Sequence, residues 1–104
     1  MAKSALNAFV ANYSNFLGNF QVRINAIAPG NIIFHGSVWQ RKMKNFSIKT
    51  KRYLEDNVDL KVFGTPNDVS NMVLYLSSDE AKYITGSIFK IDGGQHKSFV
   101  GYAG

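Results

Sequence analysis

At 104 residues and 11.6 kDa the chain amounts to one domain or less, and its 45% hydrophobic, 13% aromatic and 18% charged residues are the proportions of a folded protein, which excludes a disordered one. No apolar run reaches the roughly 18 residues of a membrane helix and no basic-then-apolar leader opens the chain, so a soluble, unexported, cytoplasmic protein is expected. Zero cysteines exclude disulfides and thiolate chemistry, and the net charge of +5 is concentrated, since six of the twelve Lys and Arg lie in RKMKNFSIKTKR, Arg41 to Arg52.

From Ser4 to Leu17 the apolar residues Leu6, Phe9, Val10, Tyr13, Phe16 and Leu17 recur at three- and four-residue spacing, and Gly18 follows, which predicts an amphipathic helix ending there. Val22 to Ala28 reads as a strand, and its near absence of charge predicts burial on both faces, a parallel-sheet signal. Pro29-Gly30 then stops it. Ligands in open α/β sheets bind outside the carboxyl ends of strands, so RINAIAPGN, Arg23 to Asn31, suggests a cofactor or substrate site.

Gly36 to about Leu60 has weak periodicity, scattered aromatics and the basic run, and reads as one or two short helices in a long connection, the length of a lid or binding loop. A solvated helix face accounts for such a basic run more often than phosphate binding, and no nucleic-acid module signature accompanies it. In GTPNDVSNMVLYLSSD, Thr65 can cap a helix, Pro66 fits its first position and Asp68 its first turn, with Val69, Met72, Val73 and Leu76 as the apolar stripe. Ser87 to Ile91 is a second strand, stopped by a backbone turn at Asp92, Gly93 and Gly94. His35 and His96 are too few for a metal site, and none is expected. Asn25 reads as a hydrogen bonder in sheet packing.

The order helix, strand, lid helices, helix, strand predicts an α/β fold with two adjacent parallel strands joined by a right-handed crossover. Parallel sheets are covered on both faces and commonly have about five or six strands, so the chain reads as part of something larger.

Four blocks carry a resemblance over almost the full chain: AKSALNAFV, VRINAIAPGNI, GTPNDVSNMVLYLSSDEAKYITG and FKIDGG. In this order and at these spacings they resemble the C-terminal part of a short-chain dehydrogenase/reductase of the 3-oxoacyl-acyl-carrier-protein-reductase-like kind, a Rossmann-type doubly wound parallel sheet. The resemblance implies that residues 1–104 are a partial NAD(P)-binding domain, with 31–60 as the substrate lid. It implies hydride transfer between NAD or NADP and a small-molecule alcohol or ketone.

By the resemblance, Lys3 matches the Lys of the family's Tyr-x-x-x-Lys signature, which holds the nicotinamide ribose and lowers the pKa of the Tyr. A free Tyr near pKa 10 is a poor base at neutral pH, so that charge is what the chemistry requires. Counting back four places from Lys3 runs off the chain. That Tyr, the carbonyl-polarising Ser and the glycine-rich phosphate turn are thus absent from the chain, which is expected to be inactive alone. Pro29, Gly30 and Ile32 match the segment that passes the nicotinamide and bonds its carboxamide. Where the family often has Thr two places after the Ile, this chain has Phe34, which carries no hydroxyl. Trp39, Met43 and Phe46 of the lid suggest an apolar or ring-bearing substrate. A homo-oligomer, dimer or tetramer, is expected of the complete protein, with no nucleic acid or membrane partner. The alternative is a non-catalytic remnant serving as an interaction module.

Overall fold

A computed structural model describes residues 2–34, 36 and 47–95 of the chain. Helix α1 spans Ala2–Gly18, two residues before and one beyond the Ser4 to Leu17 that its apolar spacing predicts. Its stop is made differently. Gly18 is still helical, and the left-handed residue is Gln21, φ 59°. The Val22 amide donates to the Leu17 carbonyl at 3.1 Å and the Gln21 amide to the Gly18 carbonyl at 3.1 Å, the paired bonds of a Schellman ending. The Gln21 side chain adds a bond of its own from Nε2 to the Gly18 carbonyl at 3.3 Å. A polar residue thus satisfies an end carbonyl while holding a backbone conformation that usually selects glycine.

Strand β1 is Ala26–Pro29 and β2 is Ile88–Ile91, hydrogen-bonded neighbours in a two-stranded sheet. The bonds Gly86 amide to Ile24 carbonyl, Ala26 amide to Ser87 carbonyl and Gly30 amide to Ile91 carbonyl advance together along both segments, so the strands are parallel. Both are shorter than the alternation predicts, because side chains replace the ladder at its start. Thr85 Oγ1 accepts the Ile24 amide at 3.0 Å, and Asn25 Oδ1 accepts the Ser87 amide at 3.1 Å. Ala26, Ile27 and Ala28 are half-buried rather than enclosed on both faces, since among the described residues the sheet has these two strands alone.

Between the strands in sequence come α2 (Ser47–Asn57) and α3 (Pro66–Leu76), followed by a 3₁₀ turn at Asp79–Ala81. The α3 start is the capping arrangement its sequence announces. The Asp68 carboxylate takes the Thr65 amide at 2.8 Å and the Thr65 hydroxyl at 3.2 Å, while Pro66 occupies the first position, where an amide is not needed.

The chain divides into two compact units, Met1–Ala28 with Val69–Lys90 and Pro29–Asp68 with Ile91–Gly104. In the first, Val10, Leu76 and Ala81 are buried, and the loop before β2 comes so close to α1 that a Cβ on Gly86 would lie 2.9 Å from Ser14 Oγ. The predicted stripe of α1 is mostly uncovered: Leu6, Phe9, Tyr13 and Phe16 are exposed, and Phe9 meets Tyr13 edge-to-face with centroids 4.8 Å apart.

In the second unit Thr50, Leu54 and Val58 are buried. The chain leaving α2 pairs antiparallel with the turn after β2, through Asp59 amide to Gly94 carbonyl and Leu60 amide to Gly93 carbonyl, both 3.0 Å. Gly93 and Gly94 have φ of 64° and 80°, and a Cβ on Gly94 would sit 2.5 Å from Asp59 Oδ2 and 2.7 Å from Asp59 Cβ. Gly94→Ala combines a left-handed backbone with this collision. It is expected to destabilise the chain by about 1–3 kcal/mol, read as a lower urea midpoint at unchanged slope.

Candidate functional site

The predicted site lies where β1 ends, in the Pro29–Asp68 unit. Pro29 is the last residue of β1 and is exposed. Gly30 donates its amide to the Ile91 carbonyl at 3.0 Å, and a Cβ at this position would fall 2.5 Å from Asp92 Cβ, 2.9 Å from Asp92 Cα and 2.8 Å from Gln95 Oε1. Glycine is required here by the chain's own backbone, whatever else approaches the turn.

The next three residues form a short parallel pairing with Gly64. The Asn31 carbonyl accepts the Gly64 amide at 3.0 Å, and the Ile33 amide donates to the Gly64 carbonyl at 2.9 Å, so Ile32 and Gly64 are bridge partners. In such a ladder the flanking residues bond the partner, and the N–H and C=O of the middle residue face the opposite side. Ile32 therefore presents one donor and one acceptor side by side, and among the described residues neither has a partner. That pair is complementary to a planar carboxamide, which offers one carbonyl acceptor and two N–H donors. The chain's residues thus fit the amide end of a nicotinamide.

Behind this edge stands a residue that sequence reasoning missed. Tyr53 of α2, half-buried, accepts a hydrogen bond from Asn31 Nδ2 at 3.0 Å and another from Gln95 Nε2 at 3.4 Å. A signal existed in the i, i+4, i+8 recurrence of Thr50, Leu54 and Val58, which sets one face of α2 inward and carries Tyr53 beside it. Asp92, whose Oδ1 accepts the Gly94 amide at 3.0 Å, completes the turn against Gly30.

Phe34 lies in the same unit, 54% exposed. Lys3 lies in the first turn of α1, in the other unit. Trp39, Met43 and Phe46, predicted as lid residues, fall outside the described residues. Among the described residues no group of three His, Cys, Asp or Glu is placed to hold a metal, and no helix is long and apolar enough to cross a membrane.

The unit of Met1–Ala28 and Val69–Lys90 holds a groove of about 360 Å³ lined by Arg23, Asn25, Ile27, Val73, Leu76 and Ser77. Its polar lining serves the fold. Asn25 Nδ2 and Arg23 Nη1 both donate to the Ile84 carbonyl, at 3.0 and 3.3 Å, while Asn25 Oδ1 takes the Ser87 amide.

Residues 1–96 match the protein family described as enoyl-(acyl carrier protein) reductase. An uncharacterized oxidoreductase of Mycobacterium tuberculosis is 37% identical over 97 residues, 91% of this chain and 36% of that protein. The structure of a short-chain type dehydrogenase/reductase from Mycobacterium ulcerans superimposes with a TM-score of 0.74 at 31% identity, covering 89% of this chain and 32% of that one. A 4-hydroxyisoleucine dehydrogenase complexed with NADH gives a TM-score of 0.75 at 33% identity over 88% of this chain and 36% of that one. The chain spans about a third of the length of the curated relatives it matches.

Asn25→Ala removes both side-chain bonds at the start of the strand pair and leaves the Ser87 amide without this acceptor. An expected loss of about 1 kcal/mol, read by urea unfolding, accompanies faster exchange of the Ser87 amide.

Proposed function

The chain belongs to the short-chain dehydrogenase/reductase family, and on that premise we propose that it forms the nicotinamide-facing, C-terminal part of an NAD(P)-dependent oxidoreductase acting on an alcohol or ketone. The observation that carries this reading is the Ile32 peptide edge at the end of β1, with its donor and acceptor side by side. When bound, a nicotinamide cofactor supplies or accepts the hydride. The roles proposed for this chain's residues are those of a holder. The Ile32 amide and carbonyl bond the carboxamide, Gly30 keeps the turn tight behind it, and Lys3 holds the ribose and contributes the positive charge that favours the ionised form of a catalytic tyrosine.

The cofactor is NAD or NADP, and residues 31–60 are the proposed substrate lid, with Phe34 where a hydroxyl would otherwise reach the cofactor. Trp39, Met43 and Phe46 direct the choice of substrate toward apolar or ring-bearing compounds. Turnover is proposed to need, beside these residues, a glycine-rich phosphate turn and a tyrosine four places before the lysine.

A second reading, a non-catalytic interaction module, draws on the exposed Leu6, Phe9, Tyr13 and Phe16 of α1. The two separate in a chimera that carries this chain in place of the matching segment of 4-hydroxyisoleucine dehydrogenase. NADH-dependent turnover by the chimera, reduced about a hundred- to ten-thousand-fold by Lys3→Ala, is the expected result. A soluble chimera without turnover favours the module, and one that keeps full activity as Lys3→Ala sinks the role given to that lysine.

A further inference from the structure

Three constraints converge on the two residues before Ile32. On one side the backbone of Asp92 leaves no space for a side chain at Gly30. On another, Gly64 takes the Asn31 carbonyl and the Ile33 amide. The third is the only one of the three made by a side-chain hydroxyl: Tyr53 Oη holds Asn31 Nδ2 at 3.0 Å and reaches Gln95 Nε2 at 3.4 Å. Gln95 in turn is the bridge partner of Val58, the buried residue just after α2, and its Oε1 lies against Gly30. The hydroxyl therefore joins three separate stretches of sequence: α2, the residue after Gly30, and the turn after β2.

We infer that Tyr53 is a positioning residue whose hydroxyl sets the direction of the Ile32 peptide edge and ties that edge to α2. The inference rests on the nicotinamide reading above and adds to it a link between the proposed substrate lid, which includes α2, and the proposed cofactor edge. Asn31 is one bond from the Ile32 amide nitrogen, so rotation of the Asn31 peptide turns the Ile32 N–H with it. A side-chain amide held by a half-buried hydroxyl resists that rotation more than one free in water. Movement of α2 on binding a substrate would therefore reach the cofactor edge through Oη, and cofactor binding would reach α2 by the same route.

Tyr53→Phe keeps the ring and removes only the hydroxyl, and Asn31→Ala removes the other half of the bond. Amide exchange on the full chain reads the positioning directly. Each substitution is expected to speed exchange at Ile33 and Gly64 about five- to tenfold, the double substitution no further, and the Gly86 amide, bonded to Ile24, not at all. Unchanged exchange at Ile33 and Gly64, or additive effects in the double variant, overturns the inference.

Titration of the chimera described above with NADH, followed at the Ile32 amide by NMR, separates it from the reading beneath it. A parent chimera whose Ile32 amide does not shift overturns the nicotinamide reading itself. A parent that shifts, with Tyr53→Phe shifting at the same midpoint, overturns the positioning role alone. The expected result is a midpoint raised about five- to tenfold in Tyr53→Phe at equal folded fraction, which a merely structural hydroxyl would not produce.

Discussion

Gly30 has no room for a side chain, and much of the second unit follows from that. Its Cα lies so near the backbone of Asp92 that an added methyl would fall inside contact distance of Asp92 Cα, Asp92 Cβ and Gln95 Oε1. The end of β1 is thereby pressed onto the turn that ends β2. The same turn must be left-handed at Gly93 and Gly94 to present its carbonyls to Asp59 and Leu60. With those bonds made, the chain leaving α2 runs beside the turn, Val58 is buried, and Tyr53 is carried to Asn31. The Ile32 edge is the product of this sequence of close approaches. A small residue at one position determines what the next two can bond.

Burial follows a different logic from polar satisfaction. The buried hydrophobic residues described are Val10, Leu54, Val58, Leu76 and Ala81, while Phe9, Phe16, Phe20 and Leu74 are exposed. A parallel pair of strands has two faces and two edges, and helices of 11 to 17 residues cover little of them. Yet no buried side-chain nitrogen or oxygen among the described residues lacks a hydrogen-bond partner. Polar bonds such as those of Asn25, Thr85 and Tyr53 need only single partners, and they close within the chain. Apolar faces need covering area, which the described elements leave incomplete at Phe9, Phe16, Phe20 and Leu74.

Much of the fold was legible because its signals are local. The start of the helix at Pro66 was readable to the residue, since a proline at the first position and an aspartate that takes the Thr65 amide act within one turn. The strands were readable in place but not in length. The alternation of Val22 to Ala28 says nothing of Asn25 and Thr85, which sit 60 residues apart in sequence and whose side chains take over the first ladder positions. Pro29, Gly30 and Ile32 were legible as a site through their order after a strand. Tyr53 was not, because its meaning lies in two residues 22 and 42 positions away.

By itself the sequence determined that a helix begins at Pro66, that two parallel strands lie on either side of the connecting helices, and which family the four ordered blocks resemble. These depend on spacing, caps and turn residues, which act within a few positions along the chain. The tertiary structure alone decided that Gln21 rather than Gly18 takes the left-handed position, and that Gly30 is demanded by Asp92. It decided as well that the Ile32 donor and acceptor face away from Gly64 with a tyrosine hydroxyl holding the residue beside them. Apart from the Gln21 ending, which is made by bonds within five residues, these depend on residues more than twenty positions apart coming within contact or hydrogen-bond distance, and no local pattern records that distance.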